Sequence, residues 1–279
     1  MTESRRISYP ILEVQRKIVE EKLKNVRHKL IVISGKGGVG KSFISASLAL
    51  LMALKGKKVG LFDVDLHGPS IPLMLGLRGS HIYGDERGNL LPVLGPYGIK
   101  VISLEFLMTD PSKPLAWRGP LKTRAIHELL SKTKWNNLDY LIFDLPPGTG
   151  DEALTITQMI PRITGALIVT IPSVVSEAVV LKAINFCREL KIKILGIIEN
   201  MAYYTCPDSN KNYPLFKTSS YKGLLAKETE VLASLPFDPR VSEAIDQGIL
   251  HEIINDKSIP LVKELDRLTD IIINKTEKG

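Results

Sequence analysis

From residue 11 to residue 25, apolar and charged positions alternate at helical spacing. Ile11, Val14, Ile18 and Leu23 share one stripe, which predicts an amphipathic leading helix docked on the body that follows. Beyond it, short β-branched runs recur at 29–34, 58–62, 100–103, 140–144, 166–171, 192–198 and 231–236, with helical stretches between them. Several runs are apolar on both faces, as strands covered by helices on two sides must be. The expected fold is therefore α/β, a doubly wound and mostly parallel sheet flanked by helices. Residues 66–96, rich in Gly and Pro, and 201–221 break the pattern, and loops of that length inside a compact domain are usually functional. Near the end, Leu261, Val262, Leu265, Leu268, Ile271 and Ile272 form a last apolar stripe. Glu264, Asp266 and Asp270 offset Lys263 and Arg267 beside it, so it is expected to pack on the sheet; a membrane-surface helix would need a basic polar face. Without repeats or a linker, the chain reads as a helical extension over 1–27 and a single domain over 28–279.

Directly after the apolar run L-I-V-I-S comes Gly35, Lys36, Gly37, Gly38, Val39, Gly40, Lys41 and Ser42, followed by a helical run. This is the G-x-x-x-x-G-K-[ST] pattern in its strand, loop, helix setting, the phosphate loop of P-loop NTPases. Glycines let successive backbone N–H groups turn inward around phosphate oxygens, and the helix N-terminus adds its dipole. Lys41 is expected to neutralise the β- and γ-phosphates of ATP, and Ser42 to offer its hydroxyl to Mg2+. Lys36 is a second lysine that a plain P-loop does not need, placed to reach phosphate of its own nucleotide or of one on a facing subunit.

Two further runs end in acids: K-K-V-G-L-F stops at Asp63-Val64-Asp65, and Y-L-I-F stops at Asp144. In open parallel sheets ligands sit beyond the carboxyl ends of the strands, which directs all three carboxylates toward the phosphates. Phosphoryl transfer needs acids there to hold magnesium and orient the attacking water. Asp144 reads as the Walker B acid and a Mg2+ ligand with Asp65. Asp63 and Asp65 read as switch acids, the spacing leaving open which of them positions water. Residues 146–150, P-P-G-T-G, would hold backbone near the γ-phosphate and sense its loss.

Composition adds bounds. The formal charge of +7 is spread over both signs, with 24% charged residues, so it does not by itself point to nucleic acid. Two cysteines, Cys187 and Cys206, exclude a disulfide framework and suit a reducing compartment. The start lacks the apolar stretch of a secretory signal and no run is long enough to span a membrane, so the expected location is the cytoplasm.

The loop's extra lysine resembles the deviant Walker A group that includes MinD, ParA and nitrogenase iron protein. Within it, several segments together resemble the Mrp-type ATPases, also called ApbC- or Nbp-type iron–sulfur cluster carriers. They are D-V-D-L-H-G-P-S-I-P from Asp63, W-R-G-P from Trp117, D-L-P-P-G-T-G-D from Asp144, E-N-M-A-Y-Y-T-C-P from Glu199 and L-P-F-D-P from Leu235. The resemblance implies a slow ATPase whose homodimer sandwiches two ATP molecules, with Lys36 crossing between subunits and iron–sulfur clients or assembly proteins as partners. It also implies that Asn200 hydrogen-bonds adenine, with residues 236–239, beginning at Pro236, lining the base pocket.

The same resemblance implies a C-P-x-C pair from each subunit holding a bridging cluster. Here the segment reads Cys206-Pro207-Asp208-Ser209, with serine in place of the second thiol. Cys206 is left as a single candidate Fe–S ligand, and Cys187, in a helical run, reads as a small buried hydrophobe. Two carrier readings stay open, one with an unusual ligand set and one that has kept the ATP switch without autonomous cluster binding. A MinD- or ParA-like positioning or partition ATPase is the alternative.

Overall fold

The computed structural model describes residues 10–65, 70–108, 119–209, 211–216 and 228–278. Parts of two expected segments, 66–69 within the run that begins at Asp63 and 117–118 of W-R-G-P, lie outside the described residues, as do 1–9 and 217–227.

Among the described residues the strands are β1 (Val26–Ser34), β2 (Val59–Asp63), β3 (Tyr83–Gly84), β4 (Leu90–Leu91), β5 (Val93–Leu94), β6 (Lys100–Ser103), β7 (Leu138–Asp144), β8 (Gly165–Thr170), β9 (Ile194–Thr205), β10 (Asn212–Pro214) and β11 (Val231–Phe237). The helices are α1 (Pro10–Lys22), α2 (Lys41–Leu54), α3 (Ile71–Met74), α4 (Gly119–Lys132), α5 (Asp151–Met159), α6 (Val174–Glu189), α7 (Pro239–Gln247), α8 (Leu250–Ile253) and α9 (Pro260–Glu277). Nine strands form one sheet in the order β10-β9-β8-β1-β7-β2-β6-β5, with β11 on the other side of β9. Pairing is parallel except for β5 with β6 and β10 with β9. A small antiparallel hairpin of β3 and β4 stands apart.

Both faces of the sheet are covered, as the all-apolar strands require. On one face α2 and α9 pack over Leu30, Val32, Leu61 and Ile142; on the other, Ile31, Ile33, Phe62 and Phe143 meet apolar residues of α1, α4, α5 and α6. α2 is buried nearly all round, which explains why K-S-F-I-S-A-S-L-A-L-L-M-A-L shows no polar stripe. In α9 the residues Leu261, Val262, Leu265, Leu268 and Ile272 are buried against the body, as the stripe predicts, whereas Ile271 is only half-buried.

Three expectations are corrected. Among the described side chains Val19 of α1 and Leu23, just after the helix ends, are buried and face the α4 side, while Val14 and Ile18 are exposed at 58% and 44%; the side chain of Ile11 lies outside the described ones. Leu23 is buried as expected, but within the helix Val19 takes the place of Ile18 on the buried face, because in a helix with few apolar positions the neighbouring surface selects the face. Residues 201–205 are not irregular: β9 runs on to Thr205 and turns back as β10, since Tyr203 and Tyr204 find backbone partners in Pro214, Tyr213, Pro236 and Phe237. Residues 66–96 likewise contain α3 and the short strands β3, β4 and β5, all too brief for periodicity to register.

Candidate functional site

The site is built by strand register. Val32 of β1 and Asp63 of β2 both stand opposite Asp144 of β7, and Asp63 stands opposite Ser103 of β6. Three parallel strands therefore deliver Ser34 with the loop that follows it, Asp144, and Asp63 with Asp65 to the same edge of the sheet. The loop from Gly35 to Gly40 arches over that edge and opens α2 at Lys41.

Internal bonds hold the arch. The Ser34 hydroxyl donates to the Lys36 carbonyl at 2.9 Å. The Gly148 amide donates to the Ser34 carbonyl at 2.8 Å, which fastens the 146–150 segment to the base of the loop. Two glycines are forced. A Cβ on Gly35 would lie 2.4 Å from the Val179 carbonyl oxygen of α6, and Gly40 has φ of +83° with a would-be Cβ 2.1 Å from Asn200 Nδ2. Asn200 itself is buried in β9, and its amide donates to the Val39 carbonyl at 3.0 Å. The loop is thereby tied to a strand that pairs with neither of its own flanking elements. The bulged register of β9 against β11 and the positive φ of 51° at Met201 fall at the same point. Pro236 is buried in β11, the strand beside Asn200.

Asp144 is fully buried and holds the centre. Its Oδ2 lies 2.7 Å from Lys41 Nζ and accepts from Ser42 Oγ at 2.6 Å, while Oδ1 accepts from Ser45 Oγ at 2.7 Å. Ser45 was not singled out by the sequence. The signal was its position three residues after Ser42, on the same face of α2. Lys41 also stands 3.9 Å from Asp65 Oδ2. Asp63 is wholly buried; Ser103 Oγ donates to its Oδ2 at 3.1 Å and the Asp65 amide to its Oδ1 at 3.2 Å. Burial first, and then the neighbouring Asp144 charge, push its carboxyl well above the usual range, with Lys41 opposing. Lys36 is half-buried, and its ammonium makes no ion pair or hydrogen bond among the described residues.

Ser42 hydroxyl, Asp144 and Asp65 supply only hard oxygen donors, which fits Mg2+. Among the described residues no group of three or more His, Cys, Asp or Glu side chains is arranged to hold a metal by itself.

Cys206 directly follows the end of β9 and lies six positions beyond Asn200. Its thiol is held below the usual range by the Ser209 hydroxyl, by the Ser209 amide and by the Asp208 amide, all donating to sulfur. Position 209 thus folds back onto Cys206, and serine acts there as a donor to the sulfur. Replacing Ser209 with alanine is expected to slow iodoacetamide alkylation of Cys206 several-fold near neutral pH, because less of the thiol is ionised; Cys206→Ala identifies the reacting site. Cys187 is fully buried in α6, and burial pushes its thiol up to about 12, as expected for an inert core residue.

A family model described as ParA, NUBPL iron-transfer P-loop NTPase, matches residues 25–273. The chain belongs to this family. Among relatives of the family, the iron-sulfur cluster carrier protein of Saccharolobus solfataricus is 47% identical over 262 residues, covering 94% of this chain and 88% of the relative. The cytosolic Fe-S cluster assembly factor NUBP2 homolog of Dictyostelium discoideum is 43% identical over 230 residues, 80% of this chain and 86% of that protein. A nucleotide-binding protein from Archaeoglobus fulgidus, solved in complex with ADP, superposes with a TM-score of 0.76 at 38% identity, covering 89% of this chain and 96% of that one. The P-loop nucleotide-binding character of the family agrees with the doubly wound sheet and with the arch between β1 and α2.

Proposed function

We propose that this chain is an ATP-hydrolysing carrier of iron–sulfur clusters that acts in the cytoplasm as a homodimer and hands its cargo to client or assembly proteins. One observation carries the reading. Asn200 of β9 is bonded to the phosphate loop and Cys206 directly follows Thr205, the last residue of that strand, so a single strand joins the nucleotide loop to the candidate cargo thiol. Relatives named as cluster carriers and a relative described as cytosolic support it.

Lys41 and Ser42 are both bonded to Asp144. Binding ATP exchanges those partners: Lys41 turns to the β- and γ-phosphates, and Asp144 is left held by Ser45 and free to accept a metal-bound water. Magnesium, when bound with ATP, neutralises charge that develops on the β- and γ-phosphate oxygens. Ser42 and Asp65 lie where they would hold it. Asp63, kept in place by Ser103, stands beside Asp144 and orients the attacking water or relays through Asp65. Lys36 reaches across the dimer to the nucleotide of the facing subunit, which leaves each subunit incomplete alone. Asn200 and Pro236 border the base. The domain assignment proposed is the 1–27 extension on a single body over 28–279.

The cluster is cargo here. Cluster iron is held by thiolates, normally four, and a dimer offers two Cys206 sulfurs. The remaining positions fall to a client or to a small thiol, which makes for a loose grip suited to transfer. The test is anaerobic reconstitution with iron and sulfide, read by iron counting and visible absorption. Iron that is retained by the wild type, absent in Cys206→Ala and held more tightly in Ser209→Cys is the expected result; equal iron in wild type and Cys206→Ala would overturn the assignment. A positioning role of the MinD or ParA kind draws no support from α9, whose apolar stripe is spent on the core.

A further inference from the structure

At the edge of the sheet opposite the phosphate loop, a cleft of about 540 Å³ opens between the end of α1, the start of β1 and the turn before β8. Small-molecule sites commonly have volumes of about 300–1,000 Å³. Its floor holds Lys29, which is 6% exposed although it carries an ammonium. Lys29 Nζ donates once, to the Val26 carbonyl at 3.0 Å, and its other two N–H groups have no partner among the described residues. A buried ammonium so incompletely satisfied is costly and needs a reason. No carboxylate is bonded to it.

The walls repeat the sign. Lys24, Arg27 and Arg162 line the cleft with Lys29, against only Glu20 and Glu21. Glu20 is engaged by Arg162 Nη2 at 2.9 Å, and Glu21 by Lys24. Arg27 makes no ion pair among the described residues, so Lys29 and Arg27 are the two cations of the cleft without a bonded carboxylate there. The carboxyl end of α1 adds about half a negative charge, too little to cancel them. Arg162 lies in the left-handed region, φ 50°, in a turn where the Lys29 amide donates to Thr164 Oγ1 at 3.0 Å and the Thr164 amide donates to the Lys29 carbonyl at 2.8 Å. Burial lowers the affinity of Lys29 for its proton and Arg162 lowers it further, with Glu20 opposing; an anion in the cleft would offset the first two.

We infer that this cleft is a binding site for a small organic or inorganic dianion, a dicarboxylate or a phosphate group, held by Lys29 from below and Arg27 from the side. It lies apart from the nucleotide site and uses none of its residues.

The test uses the full chain with saturating Mg-ADP, so that the phosphate loop is occupied. Succinate and, separately, inorganic phosphate are titrated by calorimetry. The expected result is one saturable site per chain for at least one probe, and the preferred probe separates carboxylate from phosphate chemistry. Affinity should fall at least about tenfold in Arg27→Ala and in Lys29→Met, the equivalent of losing one charge-assisted hydrogen bond. It should rise in Glu20→Gln, which frees Arg162. Arg27 is exposed and its replacement leaves the fold intact, so the test does not depend on Lys29→Met folding. Absence of saturable binding of either probe to the wild type, or unchanged affinity in Arg27→Ala, would overturn the assignment.

Discussion

Replacing Lys41 with alanine is expected to reduce ATP affinity by at least about a hundredfold, whereas Lys36→Ala leaves binding within a few-fold and abolishes turnover. The first figure follows from the loss of charge-assisted hydrogen bonds to phosphate, each worth about 1.5–3 kcal/mol. A second effect on the nucleotide-free protein separates the two lysines further. Among the described residues Lys41 is the only cation bonded to Asp144, which is fully buried. Its removal leaves that carboxylate with the Ser42 and Ser45 hydroxyls alone, and breaking such a pair costs about 3–5 kcal/mol. Lys36 is half-buried and unpaired among the described residues, so Lys36→Ala should shift stability by no more than about 0.5 kcal/mol. Fluorescent-nucleotide titration, thermal unfolding without nucleotide and single-turnover hydrolysis check the three parts. Equal loss of nucleotide binding in both variants would exclude the cross-subunit role of Lys36.

Gly40→Ala should be nearly as damaging although it deletes nothing. Its φ of +83° costs a side chain about 1–2 kcal/mol. The new Cβ would fall 2.1 Å from Asn200 Nδ2, so Asn200 must swing away and abandon the Val39 carbonyl. That loss adds about 0.5–1.5 kcal/mol. Stability should fall by about 1.5–3.5 kcal/mol in total, and ATP affinity by more than about tenfold, since the loop loses its tie to β9 as well as its shape. A cycle with Asn200→Ala separates the causes. In the double variant the overlap is gone and only the backbone strain remains, so the double change should cost less than the sum of the singles. Strict additivity in denaturant midpoints would mean that Asn200 and Gly40 do not interact.

These two predictions draw on different kinds of information. Lys41 was legible in the chain because the phosphate loop is a local device: eight consecutive residues between an apolar strand and a helix set the turn, the charge and the hydroxyl. Asp63, Asp65 and Asp144 were legible for the same reason, each ending an apolar run, and parallel sheets place such ends at a single edge. The seven strands and the doubly wound arrangement could be read because strands buried on both faces leave unmistakable runs. The family resemblance spoke through segments of the same local kind.

Contacts between residues remote in sequence were not legible. Ser45 becomes a ligand of Asp144 only when register sets β7 beside β1 under α2, bringing together residues that lie 99 positions apart. The bond from Asn200 to Val39 spans 161 positions and depends on a bulge in β9 that no periodicity announces. The buried face of α1 and the extension of β9 through Tyr203 and Tyr204 were likewise settled by the surfaces available to them. Lys29 looked like an ordinary charged residue at the start of a strand until α1 and the turn at Arg162 closed over it. Sequence alone therefore determined the fold class and the placing of the glycine-rich loop and the three acids at one edge of the sheet, because each is set by local backbone geometry and solvent exclusion. Only the tertiary structure decided which polar groups are left to satisfy one another once water is excluded, since that depends on which strands become neighbours.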